Sequence, residues 1–225
     1  MRIGITGWEG FIGSYLRKKI ESPILFQGDL NNLDNVKLFV NECDRIYHLA
    51  GLNREPEGKI LANNLVATGN LILSLKLQNK NPDIIFVSSK QVEWNPNSEY
   101  GLTKSIEEDI VKKAAHWCIY RIPNVYGPGG KPFYNSVVAT FTYQLSHGQK
   151  VTINDPSVTR EFIFINYLVQ ELLNPPFSGY RSPEGELLSV GEIYEYLTTR
   201  LGDHPNIKKC LDYYSRSDKN VVSPS

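Results

Sequence analysis

The sequence predicts an α/β fold: a doubly wound parallel sheet with helices on both faces and a small C-terminal lobe. Three observations predict it. Short apolar runs alternate with helix-like segments through the first two-thirds of the 225 residues. A glycine-rich turn joins the first such run to the first helix. The texture changes after Pro123, where Gly127-Pro128-Gly129-Gly130 and Pro132 mark an irregular loop.

The elements read in order as follows. Ile3-Gly4-Ile5 is a short buried strand and Phe11–Ile20 a helix with Leu16 and Ile20 on one face. Ile24-Leu25-Phe26 is a strand, 35–43 a helix and 45–49 a strand. Residues 62–78 form a long helix carrying Leu65, Leu71, Ile72 and Leu75. A strand over 84–87 ends at Ser88-Ser89, a helix follows over 99–115, and 117–122 is a further strand. Alternation of this kind makes successive strands parallel. Ligands bind such sheets at the carboxyl ends of the strands, so the segments just after each strand carry the chemistry. Residues 1–128 read mainly as the core, 129–215 as a lobe packed on it, with one helix near 136–145, and 216–225 as a polar tail.

Composition narrows the function. Lys+Arg and Asp+Glu are equal at 24 each, so no overall field draws in nucleic acid or an anionic membrane. Cys43, Cys118 and Cys210 lie far apart, with neither disulfide nor metal-ligand spacing, and no metal site is expected. The N-terminus enters a strand pattern without a signal-peptide run, and no apolar stretch reads as long enough for a membrane span. The expectation is a cytoplasmic protein.

The first strand runs into Gly7-Trp8-Glu9-Gly10-Phe11-Ile12-Gly13. Gly7 allows the tight turn, Gly10 the approach of a pyrophosphate, and Gly13 close packing of the helix on the strand. Free N–H groups at the helix start then face the phosphates. This is the cradle of a Rossmann-type dinucleotide site. Asp29 lies 16 residues beyond Gly13. It suits an adenosine ribose, which favours NAD over NADP. Alternatively, Gly28-Asp29-Leu30 lies beside the adenine and a strand–helix unit is missing before it, or Asp29 caps a helix. Both NAD and NADP stay open.

Tyr100 and Lys104 are four residues apart on one helix face. A phenol of pKa near 10 is a poor acid/base at neutral pH, and a nearby ammonium favours the phenolate. Tyr100 then protonates a carbonyl oxygen or deprotonates an alcohol. Ser88-Ser89 supply a hydroxyl to the reacting oxygen.

Together, Thr6-Gly7-x-x-Gly10-Phe11-Ile12-Gly13, His48-Leu49-Ala50-Gly51, Asn64-x-x-x-Thr68, Ser88-Ser89, Tyr100-x-x-x-Lys104 and Arg121-x-Pro123-Asn124-Val125-Tyr126-Gly127-Pro128 resemble the extended short-chain dehydrogenase/reductases. Most of these act on nucleotide-linked sugars. The resemblance implies Ser89 as the catalytic hydroxyl, Tyr100 as acid/base, and Lys104 as its tuner and a holder of the nicotinamide ribose. It adds Leu30, Leu49, Ala50, Gly51, Asn64, Ser88 and Pro123 to the cofactor site. Gly51-Leu52-Asn53-Arg54, Lys131-Pro132-x-x-Asn135-Ser136-Val137-x-Ala139-Thr140-Phe141 and Val190-Gly191-Glu192-Ile193 are similar to the reductase half of the CapF-type capsular polysaccharide enzymes. That likeness implies a UDP-linked keto-deoxy sugar as substrate, with Asn53, Ser89, Asn124, Lys131, Asn135 and Arg160 at its site. Asn124 and Arg160 fall where the diphosphate is held, and an Arg fork matches phosphate oxygens; the plainer reading of Arg160 is a surface pair with Glu161 or Asp155. The cupin domain of those enzymes, with its epimerase activity, is expected to be absent. The family implies a homodimer through the helices of 62–78 and 99–115.

The departures are specific. Lys90-Gln91 stand where sugar-nucleotide dehydratases carry an Asp-Glu pair, which argues against a dehydratase. Asn166-Tyr167 replace a frequent Asp pair, and the segment from the cradle to Asp29 is short. His48 reads as a packed residue, and His116, His147 and His204 have no partner legible in sequence. The leading expectation is an NAD(P)H-dependent reductase of a nucleotide-linked keto-sugar. The alternatives are a 4-epimerase with retained NAD and a non-catalytic dinucleotide-sensing partner protein; the Tyr100/Lys104/Ser89 set argues against the latter.

Overall fold

The computed structural model describes residues 1–53, 58–176 and 178–217. Arg54 and residues 218–225 of the expected tail lie outside them. In chain order the elements are β1 (Ile3–Thr6), α1 (Phe11–Leu16), β2 (Ile24–Leu25), α2 (Leu33–Glu42), β3 (Arg45–His48), α3 (Lys59–Leu77), β4 (Asp83–Ser89), α4 (Gln91–Trp94) and α5 (Glu99–Val111). They continue with β5 (His116–Ile122), β6 (Asn124–Tyr126), α6 (Val137–Ser146), β7 (Thr159–Phe164), α7 (Ile165–Leu173), β8 (Gly179–Arg181), β9 (Glu186–Ser189), α8 (Val190–Leu197) and α9 (Pro205–Ser217).

The chain divides into two compact units, Met1–Ile122 with Val169–Pro183, and Pro123–Leu168 with the segment from Glu184 onward. Val169–Pro183 joins the first unit because β8 pairs with β5 from Cys118↔Gly179 to Tyr120↔Arg181.

The first unit is a six-stranded sheet of order β2-β1-β3-β4-β5-β8, and every pair is parallel. This is a Rossmann-type α/β fold. Its strands read as near-continuous apolar runs because helices cover both faces. Ile5, Ile46, Tyr47, Ile84, Ile85, Phe86 and Ile119 are all buried. Val36, Phe39 and Val40 of α2 and Leu71, Ile72 and Leu75 of α3 join the core at helical spacing. The Tyr47 hydroxyl donates to Leu172 O at 2.8 Å and that of Tyr120 to Glu171 O at 3.0 Å, so the two buried phenols are satisfied.

In the second unit, β6 and β7 run parallel and β9 closes antiparallel on β7. Tyr126 OH donates to Glu186 Oε1 at 2.5 Å, and His204 Nε2 lies 2.7 Å from Glu186 Oε2. The partner of His204 comes from 18 residues away, so no local pattern shows it. α9 carries the chain in helix through Ser217, where the sequence reads as a polar tail from residue 216. Buried Ile207, Cys210 and Tyr214 supply its apolar stripe, which the intervening charges of Lys208, Lys209 and Asp212 mask.

One expectation needs correction. By length and composition alone α3 is apolar enough to cross a membrane. Asn64, Thr68 and Asn70 interrupt the run in sequence, but Asn64 and Thr68 are buried in polar contacts. α3 packs against α2 and α5 in the same unit.

A buried charge network locks β4, β5 and α5 together. Glu108, 2% exposed, accepts Arg121 Nε at 3.0 Å and Nη2 at 2.6 Å, and also the Ser88 hydroxyl at 2.6 Å. Arg121 Nη1 reaches Glu93 of α4 at 2.8 Å. Removing one member of a buried pair leaves the other charge uncompensated. Arg121→Met is therefore expected to lower unfolding free energy by about 3 kcal/mol, read from urea denaturation.

Candidate active site

The sheet order places β1 between β2 and β3, so the chain leaves β1 in one direction and returns on its other side. Such a switch point opens a crevice at the carboxyl ends of the strands. A cleft of about 440 Å³ lies there. Its walls are the loops after three neighbouring strands: Gly7–Gly10 after β1, Phe26 and Gly28–Asn31 after β2, and Ala50–Leu52 after β3. Asn63, Asn64 and Ala67 of α3 complete it.

The floor requires two of the predicted glycines. Gly7 has φ +66, and a Cβ there would stand 2.5 Å from Ala50 N. A Cβ on Gly13 would stand 2.3 Å from Gly7 O. Gly10 donates its N–H to Gly7 O at 3.0 Å and opens α1 without a side-chain cap, so the first-turn amides of Phe11, Ile12 and Gly13 meet no capping group. Trp8 lines the cleft and donates Nε1–H to Phe26 O at 2.9 Å. Its ring lies under the Arg17 guanidinium. This is a cradle that side chains would fill, and it fits a dinucleotide phosphate.

Asp29 and Leu30 form the opposite wall. Asp29 does not cap α2; Asn32 does, accepting from Asp34 N and Asn35 N. The Asp29 carboxylate instead accepts the Asn31 N–H at 2.9 Å, and Asn70 Nδ2 donates to Leu30 O at 2.9 Å. Asn64 acts as a backbone clamp, accepting from Leu52 N at 2.8 Å and donating to Leu52 O at 2.9 Å.

Of the expected reactive residues, Lys104 borders this cleft, at Gly51. Ser98 caps α5, accepting from Gly101 N at 3.0 Å, and so starts the helix one turn before Lys104. The Lys104 side chain is 6% exposed. Its Nζ lies over the Phe86 ring at 4.6 Å, 6.0 Å from the centre of the Tyr100 ring, and donates to Val87 O at 3.4 Å. A Cβ on Gly51 would lie 3.4 Å from Nζ, which sets the ammonium against the cleft loop. Ser89 ends β4, and its hydroxyl accepts the Gln91 N–H at 3.1 Å. The Ser88 hydroxyl spends its proton on Glu108, so Ser89 is the serine with a hydroxyl proton not given to that carboxylate. Strand alternation explains the split, since adjacent strand residues point to opposite faces.

Sequence reasoning missed Glu107. It is fully buried, its Oε2 is 3.1 Å from Lys104 Nζ, and its Oε1 accepts the Thr68 hydroxyl at 2.7 Å. Burial opposes the charge on Lys104, yet Glu107 and Tyr100 hold its pKa above the usual lysine value. The one available signal was a second Glu, three residues after the lysine and on its helix face. His48 is also buried, between Thr6 at 2.7 Å and Thr68 at 3.0 Å. Burial pulls its pKa down to about 3, and the Lys104 charge adds to this.

The remaining expected residues divide by unit. Asn53 is exposed after β3, and Leu49 donates its N–H to Thr6 O at 3.3 Å in the first unit. Pro123, Asn124, Lys131, Asn135 and Arg160 belong to the second. There Asn124 Nδ2 donates to Glu161 O at 3.0 Å, beside Arg160 on β7. Arg160 is exposed and donates to Thr159 O at 2.9 Å. Among the described residues it makes no ion pair with Glu161 or Asp155, so the plainer reading is not met. Lys131 lies over the Tyr134 ring at 4.7 Å, and Asn135 is exposed before α6.

The NAD dependent epimerase/dehydratase family matches residues 3–173. The chain belongs to that family. It is 30% identical over 216 residues to the UDP-2-acetamido-2,6-beta-L-arabino-hexul-4-ose reductase of Pseudomonas aeruginosa, covering 88% of this chain and 57% of that protein. It is 26% identical over 145 residues to the UDP-glucose 4-epimerase of Rickettsia typhi, covering 59% of this chain and 41% of that one. Its fold resembles the capsular polysaccharide assembling protein CapF from Staphylococcus aureus, with TM-score 0.76, 23% identity, and 100% of this chain and 68% of that one covered. It also resembles the UDP-glucose 4-epimerase of Thermus thermophilus, with TM-score 0.80, 19% identity and coverage of 99% and 100%. The cradle and cleft fit the dinucleotide for which the family is named.

The buried neutral His48 has a measurable consequence. Its folded pKa is depressed, so the unfolded chain takes up a proton near pH 6.5 that the folded chain refuses until about pH 3. The stability it contributes is complete above pH 6.5 and is lost as pH falls. Between pH 6 and 5 the unfolding free energy is expected to drop by about 1.2 kcal/mol. Urea titrations at the two pH values check this, and an unchanged free energy would contradict a neutral His48.

Proposed function

We propose that this chain is an NAD(P)H-dependent reductase of a nucleotide-linked keto-deoxy sugar, in surface polysaccharide or deoxysugar synthesis. The observation that carries the reading is the position of the Lys104 ammonium, between Tyr100 and the cleft loop at Gly51. Likeness to a UDP-sugar reductase over 88% of the chain supports the same reaction.

A reduced nicotinamide, when bound, supplies the hydride. Gly7, Gly10 and the first-turn amides of Phe11, Ile12 and Gly13 hold its phosphates, with Asp29 and Leu30 at the adenosine end. Leu49, Ala50, Gly51, Asn64, Pro123 and the Ser88 backbone complete the cofactor site. Tyr100 gives its phenolic proton to the ketone oxygen as that oxygen becomes an alcohol. Ser89 donates a hydrogen bond to the same oxygen. Lys104 stabilises the phenolate left on Tyr100 and holds the nicotinamide ribose. Asn53, Asn124, Lys131, Asn135 and Arg160 serve the sugar nucleotide, Arg160 by its fork on the diphosphate. Lys90 and Gln91 carry no acid pair for eliminating water, which favours reduction over dehydration.

Tyr100→Phe is expected to abolish turnover and leave the dinucleotide Kd within about twofold, read by tryptophan fluorescence through Trp8; undiminished turnover removes the assignment. A 4-epimerase with retained NAD is the second reading, favoured by the end-to-end match to the Thermus epimerase fold. Stoichiometric oxidation of added NADH or NADPH by a keto-sugar nucleotide decides for the reductase, and NAD that stays bound through purification decides for the epimerase.

We further propose a cytoplasmic homodimer. Three unpaired thiols, Cys43, Cys118 and Cys210, support a reducing compartment. Val66, Leu73 and Leu77 on α3 and Leu102 on α5 are exposed, flanking a groove of about 350 Å³ between these helices. Leu73→Glu is expected to convert a dimer to a monomer in sedimentation at micromolar concentration.

A further inference from the structure

The interior between the cleft and α5 holds more polar groups than a dinucleotide site needs. Thr6, His48, Thr68, Lys104 and Glu107 are all buried, and they form one connected chain. Its direction can be worked out from proton counting. The Thr68 hydroxyl has one proton, and Glu107 Oε1 takes it at 2.7 Å. Thr68 Oγ1 must therefore accept at its 3.0 Å contact with His48 Nε2, which makes His48 the Nε2–H tautomer. His48 Nδ1 is then a bare acceptor, and the Thr6 hydroxyl donates to it at 2.7 Å. Thr6 Oγ1 in turn accepts the Ala50 N–H at 3.3 Å, and Ala50 lines the cleft. Every donor in the chain points toward the Glu107 carboxylate.

The far oxygen of Glu107 faces Lys104 at 3.1 Å and has no other partner among the described residues. The titratable groups acting on Lys104 are Tyr100, Glu107 and Glu108 from α5 and His48 from β3. Glu108 is already engaged by Arg121 of β5 and Ser88 of β4. β4 otherwise offers Lys104 the Val87 carbonyl and the Phe86 ring, and α3 offers neutral Thr68 and Asn64. Glu107 is thus the carboxylate that balances the lysine.

We infer that Glu107 is a positioning residue for the reaction: it holds the Lys104 ammonium beside Tyr100, and its charge sets the direction of the hydrogen-bond chain that reaches the cleft loop through Thr68, His48 and Thr6. It touches neither substrate nor cofactor. It also keeps the lysine charged against burial, and the charged ammonium favours the Tyr100 phenolate. The inference about Tyr100 rests on the acid/base role proposed above; the inference about the chain does not.

The test is Glu107→Gln, followed in two ways. Nitrogen-15 NMR of the imidazoles reads the His48 tautomer without substrate. The wild-type ring is expected as Nε2–H. In the variant the introduced amide donates to Thr68, the chain reverses, and His48 switches to Nδ1–H. The pH profile of kcat/KM with the keto-sugar nucleotide gives the second reading. Loss of the carboxylate leaves burial to oppose the Lys104 charge, so the limb belonging to Tyr100 is expected to move to higher pH by about one unit, whereas a merely structural contact would lower the rate without moving the limb. An unchanged tautomer, or a limb that stays or moves to lower pH, overturns the inference. Absence of turnover with any keto-sugar nucleotide counts against the reductase reading instead, and the tautomer then decides. Should the single variant not fold, Thr68→Val, which cuts His48 off from Glu107 and leaves no acceptor for an Nε2–H, carries the tautomer measurement: Nδ1–H is expected, and a ring that stays Nε2–H overturns the inference.

Discussion

A lysine side chain held at 6% exposure must have its charge balanced from within the fold. That requirement organises the first unit. The compensating carboxylate, Glu107, sits one turn further along the same helix, and its other oxygen is bound by Thr68 of α3. The ammonium rests on the Phe86 ring and the Val87 carbonyl of β4. Moving any of these elements by a few ångströms would strand a charge where water cannot reach it. Packing of α3, α5 and the central strands and placement of Lys104 are one problem with one solution.

The same elements frame the cleft. Parallel pairing sets Thr6 opposite His48, and His48 opposite Phe86 on the next strand. The loops after β1 and β3 therefore leave the sheet side by side, and Gly7 lies close enough to Ala50 that only a glycine fits. Asn64 fixes the β3 loop by both hydrogen bonds of its amide to Leu52. The glycine turn after β1 and the buried Lys104 are thus joined by strand register and by one α3 amide.

A second network keeps its distance in chemistry though not in sequence. Glu108 follows Glu107 directly, but it turns to Arg121 and Ser88. The pair of serines divides in the same way, with Ser88 serving the network and Ser89 at the strand end. Helical and strand periodicity send neighbouring side chains to different surroundings. One dipeptide, in each case, contributes to both stability and the site.

Much of this was legible in the sequence. The strand–helix order, the Gly7–Gly13 cradle and the Tyr100-x-x-x-Lys104 pair are local patterns set by spacing of a few residues, and spacing survives in a linear string. The strands β6 to β9 and the end of α9 were not legible, because three to six residues carry too little periodicity and charged neighbours hide the stripe of Ile207, Cys210 and Tyr214. The return of β8 to β5, the partner of His204 and the chain from Ala50 to Glu107 came only from the tertiary structure. Each joins residues 18 to 61 positions apart, and the direction of a hydrogen bond depends on what surrounds it. Sequence alone determined the order of strands and helices and the glycine turn after β1, because both rest on local spacing; burial and contact decided which polar side chains meet, which hold charge and which way the protons point.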